Sequence, residues 1–198
     1  GAAHIFIEDS TGDNAIIVAP GAATLIDIAF IHAHAALIAD SDVFVTQLEQ
    51  PMDAAMCGLE IARAAGVTTV LNPAPAAILP DGMLALCDYV TPNETECEFL
   101  TGISVRTQSQ AKRACDVLRD LGVGTPIITM GEQGAFVHGL GLVPAVIAGN
   151  VIETTGAGDA FSGGFAAALA EKRTPLDAVR YGCATAGISV TKAGTAPS

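Results

Sequence analysis

The sequence is poor in aromatic and charged residues, and both shortages limit what kind of protein it encodes. Tryptophan is absent, aromatic residues make up 5% and charged residues 15% of the 198 positions, whereas apolar residues make up 51%. A core without large rings must be filled by Ala, Val, Ile and Leu, which is typical of helices packed on both faces of a parallel sheet. The length suits one domain with one sizeable core better than two domains.

Basic residues are also scarce. Nine Lys and Arg stand against 21 Asp and Glu, which gives a formal charge of -12. Such a surface repels polyanions, so the composition argues against binding to nucleic acid or to an acidic membrane. Neither a signal peptide nor an apolar run of membrane-spanning length is found in the sequence.

Cysteine usage points to a reducing compartment. The five cysteines include no C-x-x-C pair, and the four histidines form no ligand-like group with them. An odd number of unpaired thiols suits buried free cysteines in the cytosol better than a disulfide framework or a zinc site. The protein is therefore expected to be cytoplasmic.

Apolar periodicity predicts strands that alternate with helices. A hairpin is expected from residues 4–8 and 15–19, and strands near 42–47, 67–71, 89–91, 125–130, 135–138 and 143–147. Helices are expected near 24–39, 53–65, 94–101, 107–121, 157–171 and 175–191. This alternation predicts an α/β fold with a mainly parallel sheet and a terminal antiparallel pair.

A glycine-rich turn is the most informative segment. Glu153-Thr154-Thr155-Gly156-Ala157-Gly158-Asp159 stands directly before an alanine-rich helical run. The glycines let backbone N–H groups turn inward and the helix adds the positive end of its dipole, so the turn suits a phosphate or a developing anion. An acid at Asp159 fits beside that anion if it takes the proton of an attacking nucleophile, which indicates a phosphotransferase. The alternative is a helix N-terminus capped by Asp.

Four further polar positions follow predicted strands. Glu49, Asn72, Asn93 and Gly131 each lie within a few residues of a strand's end, and ligands of open α/β sheets bind beside those carboxyl ends. Each position also has a purely structural interpretation. These are a solvated acid after the first strand, an Asn-Pro turn after the second, a capped helix start after the third and a hairpin turn after the fourth.

These segments together resemble the ribokinase family of carbohydrate kinases, in which an aspartate after a Gly-Ala-Gly turn is the catalytic base. The resemblance covers essentially the whole chain. Besides the turn, the similar segments are Gln47-Leu48-Glu49 with Pro51, Asn72-Pro73-Ala74-Pro75, Thr91-Pro92-Asn93-Glu94-Thr95-Glu96, Thr129-Met130-Gly131-Glu132-Gln133-Gly134 and Gly194-Thr195-Ala196-Pro197-Ser198. The Asn-Pro-Ala-Pro and Pro-Asn-Glu-Thr-Glu segments are more similar to ribokinases than to fructokinases or adenosine kinases.

The resemblance implies a fold and a reaction. The fold is a ribokinase-like three-layer α/β/α domain, with a partial β-hairpin lid at 1–20 and the C-terminal part of the kinase domain at 21–198. The reaction is transfer of the γ-phosphoryl group of ATP to a primary hydroxyl of a pentose, D-ribose first among them, with Mg²⁺. The hairpin resembles the lid through which ribokinases pair, which leaves a homodimer open.

It also implies roles for individual residues. Asp159 is the base and a sugar contact, with Gly156, Ala157 and Gly158 at the transferred phosphoryl group, and Glu49 contacts the sugar hydroxyls. The implied nucleotide-binding residues are Asn93, Thr129, Gly131, Gly134 and Gly158. Glu96 acts on Mg²⁺ through water, and a K⁺ site is expected around Glu153, Thr155, Gly194 and Ser198. The family typically has Asp at the position of Glu153, so this cation site is expected to be shifted.

The resemblance further implies a segment of roughly a hundred residues ahead of Gly1, so the sequence is expected to be a fragment. An inactive or non-catalytic kinase module that at most binds nucleotide is therefore the alternative function. A dinucleotide-binding oxidoreductase is disfavoured, because no G-x-G-x-x-G follows an early strand.

Overall fold

The computed structural model describes residues 1–7 and 14–195, and in them the chain forms two sheets flanked by helices. The strands are β1 (Ala2–Ile7), β2 (Asn14–Ala19), β3 (Val43–Thr46), β4 (Thr68–Leu71), β5 (Tyr89–Val90), β6 (Thr125–Thr129), β7 (Ala135–Val137) and β8 (Gly141–Val143). The α-helices are α1 (Ile28–Ala33), α2 (Ala35–Ala39), α3 (Met52–Ala64), α4 (Glu94–Thr101), α5 (Gln108–Asp120), α6 (Ala157–Ala170) and α7 (Pro175–Ser189).

The main sheet has six strands in the order β3-β4-β5-β6-β7-β8. The first four run parallel, and β7 and β8 add to β6 as an antiparallel pair. The predicted mainly parallel sheet with a terminal antiparallel pair is therefore confirmed. Because the parallel strands are neighbours in chain order, their carboxyl ends form one continuous edge.

Two apolar cores lie on the two faces of this sheet, which gives the predicted three layers. Leu71 and Leu118 belong to the core beneath α3, α4 and α5. Val70 and Phe165 belong to the core beneath α6 and α7, where the Tyr89 and Phe165 rings meet edge to face at 5.1 Å. Neighbouring residues of β4 thus point into different cores, as expected for a sheet covered on both faces.

The hairpin forms a separate two-stranded sheet. Strands β1 and β2 pair antiparallel, with Ala2 opposite Ala19 and Ile7 opposite Asn14. The predicted turn at 9–13 lies outside the described residues. Phe6 and Ile17 remain largely exposed on this hairpin, at 59% and 61% of their surfaces.

One predicted helix is wrong in extent. Instead of a single helix over 24–39, the chain forms a 3₁₀ turn at Gly21–Leu25 and then α1 and α2. Helix α1 begins at a new cap, because the side chain of Asp27 accepts a hydrogen bond from the Phe30 amide at 2.7 Å. Helix α1 ends at Ala33, because the Phe30 carbonyl is hydrogen-bonded to the His34 ring at 2.8 Å. In a continuing helix that carbonyl would accept from the His34 amide.

The last strand also differs from the prediction. Strand β8 covers Gly141–Val143 rather than 143–147. Pro144 follows it directly and has no N–H group to donate to the ladder, so the strand ends there.

All five cysteines are free and buried, as the sequence predicts. Burial raises the pKa of the Cys87 and Cys115 thiols to about 12. These groups therefore stay protonated at neutral pH and behave as small apolar core residues. Over the described ranges, none of the helices combines the length and apolar character needed to cross a bilayer.

Candidate active site

The start of α6 separates the two interpretations of the glycine-rich turn. Its N-cap is Gly156, in the left-handed region with φ 83°, and no side chain caps the helix. A β-carbon at Gly156 would also lie 3.2 Å from the Thr195 methyl group. Asp159 is the third residue of the helix and does not cap it. The structural alternative, a helix capped by Asp, is therefore not what the chain forms.

Asp177 occupies the corresponding third position of α7 and shows the contrast. Its carboxylate accepts hydrogen bonds from the Thr174 hydroxyl at 2.8 Å and from Arg180 at 3.0 Å. Asp159 is exposed and makes neither a hydrogen bond nor an ion pair within the described part of the chain. No described residue therefore pairs with the negative charge of Asp159.

Asp159 lies in a cleft of about 520 Å³ beside the carboxyl ends of β3 and β4. Asn72 lies in the same cleft, as expected from its position just after a strand's end. Polar side chains line its walls and Phe30, Phe44 and Val45 supply an apolar surface. The further polar residues are Thr46, Gln47, Gln50 and Ser162. Its volume lies within the range of small-molecule sites, about 300–1,000 Å³.

The amides of the turn are partly engaged. The Ala157 N–H donates to the Thr154 carbonyl at 3.1 Å, so one of the three amides predicted to face a phosphate already has an internal partner. At Gly158 a β-carbon would meet nothing within 4 Å, so the helix start is open on that side. The anion-binding role of Gly156, Ala157 and Gly158 stays a prediction.

The strand ends are joined by backbone hydrogen bonds into one edge. The Asn72 amide donates to Thr46, the Thr91 amide to Leu71 and the Thr129 amide to Pro92, each at 2.9 Å. The Thr129 hydroxyl also lies 3.4 Å from the Pro92 carbonyl oxygen. The structure thus brings Thr129 beside the segment that carries Asn93, although neither of them lines the cleft around Asp159.

Asn93 and Glu96 form a reciprocal cap at the start of α4. The Asn93 side-chain oxygen accepts from the Glu96 amide at 2.8 Å, and the Glu96 carboxylate accepts from the Asn93 amide at 2.9 Å. Burial of this carboxyl is the main cause that raises its pKa, and the hydrogen bond from Asn93 opposes the shift. The structural alternative for these two residues is realised.

Mg²⁺ fits this site only as a hydrated ion. Among the residues that the structure describes, no three His, Cys, Asp or Glu side chains come together as a metal cage. One Glu96 oxygen is held by the cap, and Glu96 is only 8% exposed. Mg²⁺ usually keeps several waters and is carried largely by nucleotide phosphates, so a contact of Glu96 through water suits the donor set.

Gly131 and Gly134 turn the chain from β6 into β7. The Met130 amide donates to the Gly134 carbonyl at 2.7 Å, and the Gly134 amide to the Gly131 carbonyl at 3.1 Å. A β-carbon at Gly134 would overlap the Val143 carbonyl oxygen, whereas at Gly131 the space is open. The close approach of the Val143 carbonyl explains why residue 134 is glycine. Contact of Gly131 and Gly134 with the nucleotide stays a prediction.

Glu49 does not line the cleft. Leu48 beside it is buried in the core and its amide donates to the Ala74 carbonyl at 2.9 Å, which turns Glu49 to solvent. The neighbouring Gln47 and Gln50 line the cleft instead. The sugar contact of Glu49 stays a prediction.

Two of the four predicted K⁺ residues are in contact. The Gly194 amide donates to the Glu153 carboxylate at 2.8 Å, which ties the end of the chain's described part to the strand-to-helix turn. Thr155 lies two residues further along this turn, and Ser198 lies outside the described residues.

Sequence reasoning missed several cleft residues. Ser162 follows Asp159 by three positions, so the helical period could have placed it on the same face. Gln50 was hidden in an irregular segment, where its side-chain N–H group donates to the Thr46 hydroxyl at 2.7 Å. Thr91 is a different case, because its buried hydroxyl has no hydrogen-bond partner among the described residues, and no sequence pattern signals that.

A sequence profile of the pfkB family of carbohydrate kinases matches residues 1–198. The chain belongs to this family. It is 43% identical to the ribokinase of Haemophilus influenzae over 201 residues, covering all of this chain and 65% of that protein. It is 39% identical to the ribokinase of Staphylococcus aureus over 194 residues, covering 96% of this chain and 64% of that one.

Solved structures agree with this membership. The Thermotoga maritima ribokinase superposes with a TM-score of 0.83 at 31% identity, over 98% of this chain and 64% of that one. The Arabidopsis thaliana ribokinase complexed with ribose and ATP gives 0.85 at 26% identity, over the same shares. The chain therefore spans about 65% of the length of the two ribokinases of known sequence from H. influenzae and S. aureus.

Proposed function

We propose that the chain carries the phosphoryl-transfer site of an ATP-dependent sugar kinase, whose acceptor is a pentose and specifically D-ribose, with ribose 5-phosphate as product. The observation that carries this proposal is the free carboxylate of Asp159. It lies in a cleft at the open start of α6, whereas the carboxylate of the equivalent Asp177 is already hydrogen-bonded by the N-cap residue of its own helix. Similarity to ribokinases, one of them complexed with ribose and ATP, supports the choice of substrates.

In the proposed reaction Asp159 accepts the proton of the primary sugar hydroxyl as that oxygen attacks the γ-phosphorus in line. The Gly156 and Gly158 amides and the α6 dipole stabilise the charge that develops on the transferred oxygens. The Ala157 amide joins them once it leaves Thr154. Bound Mg²⁺ would neutralise phosphate charge, with Glu96 holding it through water.

The cleft supports a polyhydroxylated acceptor. Five side chains with amide groups or hydroxyls line it, at the ends of β3 and β4 and on α6; they are Thr46, Gln47, Gln50, Asn72 and Ser162. Such groups fix the orientation of a hydroxyl-rich ligand, while the Phe30 and Phe44 rings offer an apolar surface to its carbon face. Orientation of the acceptor hydroxyl toward Asp159 is one source of rate enhancement that such a site supplies.

Formation of ADP that depends on both ATP and ribose tests the proposal. We expect turnover with ribose above the ATP-only background, and weaker turnover with a pentose whose primary hydroxyl is removed. Equal ADP formation with and without sugar would refute a sugar-kinase function for the chain.

A second function rests on the open cleft. Val45, in the edge strand beside the cleft, is 41% exposed. A module that binds nucleotide but not sugar is consistent with that exposure. Calorimetric titration separates the cases: binding of both ATP and ribose favours the kinase, ATP alone favours the module, and neither contradicts both.

A monovalent cation completes the proposal. The bond between Glu153 and Gly194 holds together two segments that the resemblance assigns to K⁺. We expect turnover to fall when K⁺ is replaced by a bulky organic cation at equal ionic strength. Unchanged turnover would remove the cation site from the proposal.

Localisation and assembly are further parts of the proposal. Five buried free thiols suit a reducing cytosol, where ATP is also supplied. We further propose a homodimer formed through the hairpin, since an isolated two-stranded sheet is marginally stable and this one exposes apolar side chains.

A further inference from the structure

Helix α7 holds the glycine-rich turn from both sides. Near its C-terminal end, the Val190 carbonyl accepts hydrogen bonds from the Ile152 amide at 2.8 Å and the Glu153 amide at 3.2 Å. In its middle, the Thr185 hydroxyl lies 2.7 Å from the Ala160 carbonyl oxygen, in the first turn of α6. The turn that bears Asp159 therefore lies between two points fixed to the same helix.

The bond from Thr185 crosses between helices. A threonine hydroxyl has one hydrogen, and its other acceptors, the Gly182 and Tyr181 carbonyls of its own helix, lie at 3.0 and 3.1 Å. Ala160 is the nearest of the three acceptors. Threonine hydroxyls within helices commonly bond back to a carbonyl of their own helix, whereas the shortest of these contacts crosses to α6.

Close packing makes the position of this hydroxyl rigid. A β-carbon at Gly164 of α6 would overlap Thr185, and one at Gly182 of α7 would lie 2.8 Å from the Phe161 ring. Glycine at both positions brings the two helix backbones together around Thr185. A change at Thr185 is therefore expected to displace the α6 backbone, because the packing leaves no free space around this side chain.

We infer that Thr185 is a positioning residue for Asp159. Ala160 is the residue next to Asp159, and the Asp159 carboxylate has no bond of its own within the described chain. Its location is then set by the backbone of the first turn of α6, which Thr185 holds. This inference rests on the proposed function, because it concerns the placement of the proposed base.

The test compares three variants with the wild-type chain. Thr185→Val replaces the hydroxyl by a methyl group of similar shape, which cannot approach a carbonyl oxygen as closely as 2.7 Å. Thr185→Ser keeps the hydroxyl. Ser189→Ala is the matched control, since among the described residues this buried hydroxyl of the same helix bonds only within α7, to the Ala186 carbonyl at 3.1 Å.

In the ribose- and ATP-dependent assay we expect Thr185→Val to lower kcat by about 10- to 100-fold, because a displacement of about 1 Å costs that much in a positioned reaction. The KM for ATP should change less than about 2-fold. Thr185→Ser should recover most of the loss, and Ser189→Ala should stay within about 2-fold of wild type. A Thr185→Val enzyme with near-normal kcat, or a Ser variant as impaired as the Val variant, would overturn the inference.

Amide hydrogen exchange separates this inference from the proposed function. If the wild-type chain shows no turnover, the proposed function fails, and exchange alone decides the role of Thr185. Faster exchange at the start of α6 in Thr185→Val, but not in Thr185→Ser or Ser189→Ala, supports its hold on the turn. Equal exchange in all three variants refutes it.

Discussion

At the residue scale, the same side chain often serves a structural role and is also assigned a functional one. Glu96 closes the cap of α4 and is the residue proposed to act on Mg²⁺. Asp159 has no structural role of this kind, because Gly156 is the N-cap of its helix. The Asp159 carboxylate makes no hydrogen bond or ion pair within the described chain. The Asp159 carboxylate is therefore free to contact a ligand, whereas one oxygen of Glu96 is already held by the cap.

Replacement of Glu96 by Gln separates its two roles. Glutamine can still accept the Asn93 amide in the cap, so the melting temperature at pH 7 should not fall. Loss of the charge should raise the Mg²⁺ concentration for half-maximal turnover by about 10-fold, as for other residues that act behind metal-bound water. An unchanged Mg²⁺ requirement would contradict the proposed role.

The pH dependence of stability gives a second readout for the same variant. Burial raises the pKa of the Glu96 carboxyl, so the folded state prefers its protonated form. Its contribution to stability is full below the pKa of the unfolded chain and is lost as pH rises through the higher folded pKa. The gap in melting temperature between Glu96→Gln and wild type should therefore widen in favour of the variant over that range. A gap that is constant with pH would contradict a raised pKa.

At the element scale, the tight turn between β6 and β7 is fixed by one glycine. A β-carbon at Gly134 would overlap the Val143 carbonyl, and its φ of 108° is unfavourable for any side chain. We expect Gly134→Ala to cost about 3 kcal/mol of unfolding free energy, from strain and overpacking together.

Gly131→Ala is the control for this prediction. Gly131 also has a positive φ, 51°, but open space around it, so its cost should be about 1 kcal/mol. Urea denaturation measures both variants. Equal losses would show that the overlap at Gly134 does not determine the turn.

Most helices and strands were predictable from the sequence, because the spacing of apolar residues within each segment indicates its secondary structure. The apolar period predicts α5 with one face formed by Ala111, Ala114, Cys115, Leu118 and Leu121, and the first four are buried. Leu121 is wrong, because it lies just beyond the helix as its C-cap and is 48% exposed. The helix over 24–39 was predicted wrongly because the break depends on the Asp27 cap and on the His34 ring, which compete with the helical bonds. The cleft was predictable only in part: strand ends locate Asn72, but the exclusion of Glu49 depends on where Leu48 packs.

At the scale of the whole molecule, the chain combines a polar cleft at one edge of the sheet with exposed apolar surface. The proposed base lies on α6 beside this edge, and the segments proposed to bind nucleotide follow β5 and β6. The hairpin and the side of β3 remain open to solvent in part, with Ile17 61% and Val45 41% exposed. The proposed dimer would use the hairpin part of this surface.

Association through the hairpin is testable with one charged substitution. We expect the chain to sediment as a dimer and Ile17→Asp to sediment as a monomer, because a charge on the joined apolar face would be desolvated. Leu37→Asp is the control, since Leu37 on α2 is 73% exposed and lies outside the hairpin. A dimer in the Ile17→Asp variant would exclude the hairpin as the interface.

Ribose 5-phosphate formation by the wild-type chain, Asp159→Asn and Asp177→Asn is the most direct test of the central claim. The two aspartates hold the same third position in adjacent helices, so loss of helix-dipole interaction affects both alike. The account predicts that Asp159→Asn loses about 100-fold or more of turnover while it still binds ATP, and that Asp177→Asn keeps most of it. Product formed by Asp159→Asn at a rate close to that of the wild type would contradict the account.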